Sequence, residues 1–153
     1  MIRKLLPIIL LLVLTQIVSA QNLSVISQLG YGIVHAVAGE GDYAFIGRGA
    51  VLSIYNVSNS SNPELVGEIC LKYMVEGIYP DKDFVYVANG ARLAIIDVSS
   101  PENPELVGSC AISGARDVIV NGSYAYVAAS SGFYVVDISD KSNPVVISSV
   151  SCY

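Results

Sequence analysis

Apolar residues recur in short alternating runs from Val34 onward, and no ten-residue stretch carries a convincing helical period. The clearest runs are Tyr43-Ala44-Phe45-Ile46, Phe84-Val85-Tyr86-Val87 and Tyr124-Ala125-Tyr126-Val127. Successive side chains of a strand point to opposite faces, so each run puts aromatic residues on one face and small or branched residues on the other. Both faces are apolar and need cover on both sides; a sheet with one wet face would alternate apolar with polar. A shorter apolar strand is expected before each run, at Val34 to Ala38, Glu76 to Tyr79 and Asp117 to Val120. Between the two strands lie Gly39-Glu40-Gly41-Asp42, Pro80-Asp81-Lys82-Asp83 and Asn121-Gly122-Ser123, residue types that favour tight turns.

A third strand follows each run and ends in Asp or Asn: Leu52 to Asn56, Leu93 to Asp97 and Phe133 to Asp137. Next come Ser58 to Pro63, Ser99 to Pro104 and Ser139 to Pro144, rich in Ser, Asn and Pro and therefore connections, since proline has no N–H for a central ladder. A fourth strand, Glu64 to Ile69 and its equivalents, is more polar and belongs at an outer edge. The Asn-Pro pairs that mark the unit stand at Asn62, Asn103 and Asn143, 41 and then 40 residues apart. Four antiparallel strands in about 40 residues, with inner strands apolar on both faces, form the pattern of a propeller blade that covers its faces by packing on its neighbours. A β-sandwich would not repeat the same Asp, Ser and Asn-Pro at fixed intervals.

The expected fold is all-β: a propeller-like array of three four-stranded antiparallel blades, at about residues 33–70, 74–111 and 115–151. One extra N-terminal strand at 23–29 reads as the outer strand of a missing preceding blade. Three blades fall below the roughly four to eight of closed propellers, so an incomplete ring that self-associates is expected. The units resemble the LVIVD-repeat β-propellers of exported and cell-surface proteins. The naming motif reads Leu93-Ala94-Ile95-Ile96-Asp97, Phe133-Tyr134-Val135-Val136-Asp137 and, in degenerate form, Leu52-Ser53-Ile54-Tyr55-Asn56. The resemblance implies a surface interaction module.

The first twenty residues stand outside this pattern. Arg3 and Lys4, an apolar run from Leu5 to Val18 and the small residues Ser19-Ala20 make a secretory signal peptide of residues 1–20, leaving a repeat domain of 21–153. The run is shorter than the about 20 apolar residues of a membrane span, so membrane contact is expected only before cleavage. Without Arg3 and Lys4, six of the eight basic residues remain against thirteen acids. That balance argues against nucleic-acid binding, which needs a basic footprint. Cys70, Cys110 and Cys152 are odd in number and lie about one blade apart, too far for disulfides and wrongly spaced for zinc; they are read as plain thiols.

No cofactor, metal or catalytic set is expected. Asp97 and Asp137, with Asn56 in the same place, are read as acceptors for backbone N–H groups of the Ser-rich turn. His35 and Asp117, on first strands, are the only residues that could serve a catalytic reading. Arg48, Lys72, Arg92 and Arg116 all map to the rim formed by the loops after second and fourth strands, which makes them the candidate ligand-binding rim. The expected function is a secreted or cell-surface module that binds an extracellular protein or an anionic glycan without catalysis. The alternative is a fragment or subunit of a propeller enzyme acting on extracellular polysaccharide.

Overall fold

The computed structural model describes residues 33–152; the expected signal peptide and the strand at 23–29 lie outside them. Twelve strands form three four-stranded antiparallel sheets, each in simple up-and-down order, with no helix among the described residues. Blade 1 comprises β1 (Val34–Glu40), β2 (Tyr43–Arg48), β3 (Val51–Asn56) and β4 (Glu64–Cys70). Blade 2 comprises β5 (Gly77–Asp81), β6 (Phe84–Ala88), β7 (Arg92–Asp97) and β8 (Glu105–Ala111). Blade 3 comprises β9 (Ala115–Asn121), β10 (Tyr124–Ala129), β11 (Gly132–Asp137) and β12 (Val145–Ser151). The sheets do not close on one another, and the architecture is that of an incomplete propeller.

The first strands run one to three residues longer than the pattern predicts, and Pro80 belongs to β5 rather than to the turn after it. The reason lies in β5 being an inner edge strand: one side of its ladder is unpaired, so a missing N–H costs nothing there. The turn that follows is the two-residue loop Lys82-Asp83, with Asp81 opposite Phe84. Its first residue takes a left-handed φ in all three blades, at 57° for Gly41, 56° for Lys82 and 60° for Gly122.

Each inner blade face is covered by its neighbour. Phe45, Leu52 and Ile54 of blade 1 meet Ile78, Val85, Val87, Ala94 and Ile96 of blade 2 in one core. Tyr86, Leu93 and Ile95, on the other side of blade 2, meet Val118, Val120, Ala125, Val127 and Val136 of blade 3 in a second. The aromatic face of each second strand thus points to the following blade and the small-residue face to the preceding one. Burial, with the Asp81 charge adding to it, pushes the Tyr86 hydroxyl up to about 12.

Blade contact is closest at two radii. Near the centre, β5 runs against both β1 and β9, and a Cβ at Gly77 would stand 2.7 Å from the Arg116 carbonyl oxygen. At the periphery, the outer strands of blades 1 and 2 each carry a bulge followed by glycine, Val66-Gly67 and Val107-Gly108. A Cβ at Gly67 would overlap the Pro101 carbonyl oxygen, and one at Gly108 the Lys141 carbonyl oxygen. These glycines admit the backbone of the next blade's Ser-rich connection. Blade 3 has the same bulge but carries Ser148 in the glycine's place.

Candidate functional site

The antiparallel order sends the turns after β2, β6 and β10 and the connections between blades to one end of the array, and the remaining turns to the other. The first end holds the four cations singled out from the sequence. Arg48, at the end of β2, is bound within its own blade. Its Nε and Nη2 donate to Ser53 Oγ at 3.1 and 2.9 Å, Ser53 Oγ donates to Glu68 Oε1 at 2.7 Å, and Arg48 pairs with Glu68 directly. That is the one ion pair among the described residues.

Lys72 and Arg92 instead flank an aromatic ring. Lys72 Nζ and Arg92 Cζ each lie 5.4 Å from the centre of the Tyr73 ring, within cation–π range. Arg92 Nη1 also donates to Ser109 Oγ at 3.2 Å. Among the described residues, Arg92 Nε and the Oδ1 of Asn89 are buried and have no hydrogen-bond partner. Both residues border the turn joining β6 to β7. Arg116, on β9, is exposed at the same end. Three of the four cations are therefore free of carboxylate partners among the described residues.

The acids at the strand ends have structural duties. Asn56, Asp97 and Asp137 each accept the backbone N–H two residues on, from Ser58 at 3.0 Å and from Ser99 and Ser139 at 2.9 Å. The Ser99 hydroxyl and backbone N–H hold the Asp97 carboxyl below the usual carboxylate range, and Ser139 does the same for Asp137. Asp140 starts the next turn and is lowered by the hydroxyl and N–H of Ser142. His35 is exposed on β1. Asp117 Oδ1 on β9 accepts from the Val118 N–H at 2.9 Å. Among the described residues no group of three His, Cys, Asp or Glu is placed to hold a metal ion.

The three cysteines are free thiols, Cys70 and Cys152 exposed and Cys110 half-buried. They are not at equivalent register: Cys70 faces Val51, whereas Cys110 faces Leu93, the counterpart of Leu52. Burial pushes the Cys110 thiol up.

The opposite, acidic end carries a cleft of about 390 Å³ between blades 1 and 2. Tyr43, Phe45, Val98 and Pro101 give it apolar walls, and Glu40, Lys82, Asp83 and Ser99 line its mouth. Glu40 Oε2 accepts the Lys82 N–H at 2.9 Å, tying the two hairpin turns across the blade junction.

The repeat geometry has a counterpart among known proteins: the family model described as LVIVD repeat matches residues 31–70, 78–112 and 113–152. The chain belongs to the LVIVD repeat family. No curated protein matches it. Each LVIVD repeat coincides with one four-stranded sheet, and the motif's own strand is β3, β7 or β11, the third of its blade. In blade 2 the LVIVD core residues Leu93, Ile95 and Ile96 are fully buried between neighbours. The motif's acid caps the turn that the preceding blade's glycine-bearing outer strand must clear.

Sequence reasoning placed the four cations at one end of the array but missed both Tyr73, which joins two of them, and the cleft at the acidic end. A signal for the cleft is present in the chain. At the equivalent position of the Ser-rich turn, LVIVD repeat 2 carries Pro101 and repeat 3 carries Lys141.

Proposed function

We propose that this chain is an exported, non-catalytic interaction module whose basic end meets an anionic surface, a glycan bearing carboxylates or sulfates or an acidic protein. The observation that supports it is the grouping of Lys72 and Arg92 about Tyr73 on an otherwise acidic protein. Arg116 shares their end of the array. Cations without carboxylate partners attract anions at low salt and lose them as salt screens the charge. Arg48 contributes least, because Glu68 already neutralises it. The absence of catalysis is part of the proposal: Asp117 is engaged with its own backbone, and His35 has no hydrogen-bonded acid or nucleophile among the described residues.

The test is retention on immobilised polygalacturonate and dextran sulfate over a salt gradient. Retention that falls with salt, is lost in a Lys72→Ala, Arg92→Ala, Arg116→Ala variant and persists in Arg48→Ala is expected. Retention that is indifferent to the triple substitution overturns the reading.

A further inference from the structure

The two blade junctions place an aromatic ring at the same position of their acidic ends but finish the surface differently. At the junction of blades 2 and 3, the ammonium of Lys141 sits 4.8 Å from the centre of the Phe84 ring. At the junction of blades 1 and 2, Tyr43 stands where Phe84 does, and Pro101 where Lys141 does. The equivalence is structural as well as sequential: the Pro101 carbonyl oxygen lies against Gly67 as the Lys141 carbonyl oxygen lies against Gly108. Pro101 has no cation to place over the ring, and among the described residues none lies over Tyr43. What remains there is the open cleft of about 390 Å³, with Tyr43 and Phe45 in its wall and Glu40 and Asp83 at its mouth.

We propose that this cleft is a binding site for an organic ammonium group, which takes over Tyr43 the place that Lys141 takes over Phe84. The ring's electron-rich face attracts a cation, and the apolar walls accept its methyl or methylene groups. Glu40 and Asp83 supply opposite charge. Lys82, also at the mouth, opposes a cation, but its backbone is turned to Glu40 and the lining carries two carboxylates against one ammonium. The ammonium belongs either to a small amine such as choline or to a lysine side chain of another protein. The site lies at the end of the array opposite the basic rim and does not depend on the function proposed for that rim.

The experiment is a titration of the purified protein with choline chloride and, separately, with Nα-acetyl-lysine methylamide, followed by amide NMR shifts against a sodium chloride control. One set of shifts is expected, at Glu40 to Tyr43, Lys82, Asp83 and Ser99. Stronger binding by choline marks a small-amine site, and stronger binding by the lysine amide marks a site for a protein side chain. Tyr43→Leu keeps the apolar volume and removes the aromatic face; it weakens binding about five- to tenfold, within the range of a cation–π contact. Pro101→Lys gives the cleft an ammonium of its own and competes with both probes. Lys141→Ala, in an exposed turn, opens the second junction and adds a second set of shifts at Asp81, Phe84 and Ser139. The proposal is overturned if neither probe shifts the cleft residues beyond the sodium chloride control. It is equally overturned if Tyr43→Leu binds both probes unchanged.

Discussion

At the residue scale, the repeat keeps an oxygen acceptor at the end of each third strand and is indifferent to its charge. Asn56 does for blade 1 what Asp97 and Asp137 do for blades 2 and 3, at nearly the same donor distances. The charge has a separate consequence. Asp97, Asp137 and Asp140 all have lowered folded-state values, so as pH falls the unfolded chain takes up their protons first. Their contribution to stability is complete above the ordinary carboxylate value of about 4 and is lost as pH falls through the lower folded values. Urea unfolding midpoints measured from neutral pH downward are expected to fall in that acid window. Asp97→Asn retains the acceptor, so its neutral-pH midpoint stays close to that of the parent and its acid decline is shallower.

At the scale of the element, the outer strand is where blades differ in purpose. Strands β4 and β8 follow a bulge with glycine because the next blade's connection passes at backbone distance. Gly67→Ala forces that backbone outward and is expected to cost about 1–3 kcal/mol, the usual range for overpacking a tight contact. Its counterpart in blade 3, Ser148, is exposed. Ser148→Gly is expected to shift the unfolding midpoint far less than Gly67→Ala does. Equal effects from the two substitutions would show that the glycine serves the bulge rather than the neighbour. The strand β12 is also the least guarded edge: all seven of its residues are exposed and none is charged, whereas β4 carries Glu64 and Glu68.

At the scale of the molecule, the decisive feature is the face that blade 3 turns away from blade 2. Its residues repeat those that blade 2 hides under blade 3. Tyr86 is 1% exposed and Leu93 0%, while Phe133, the counterpart of Leu93, is 38% exposed and Val150 58%. Tyr126 and Phe133 stack on this face with ring centres 6.0 Å apart. An open apolar face flanked by an uncharged edge strand favours association. Docking of a further blade in the internal manner would bring its connection onto Ser148, so two copies meeting face to face about a two-fold axis is the expected mode. Sedimentation velocity should show mass rising with concentration, and Phe133→Asp should return the protein to a monomer without lowering its unfolding midpoint. A parent protein that stays monomeric at its highest soluble concentration contradicts this.

The chain by itself determined the repeat, the four strands of each unit and the faces they bury. A period of two with aromatic residues on one side and small ones on the other admits only a sheet covered on both faces, and the Asn-Pro spacing sets the size of the unit. The turn-capping role of Asp97 and Asp137 was equally legible, because the substitution by Asn56 within the same chain separates acceptor from charge. Strand ends were less so, as Pro80 shows: whether a proline may join a ladder depends on which side of the strand is unpaired, and that is a property of the assembled sheet. The partners of the cations were decided by tertiary structure alone. Glu68 reaches Arg48 and Tyr73 meets Arg92 through strand pairing and blade connection, across separations that no local pattern records. The same holds for the cleft between blades 1 and 2. Pro101 and Lys141 look like ordinary turn residues until packing brings each to a junction beside an aromatic residue of the preceding blade, where Lys141 sets a cation over Phe84 and Pro101 lines the open cleft with Tyr43.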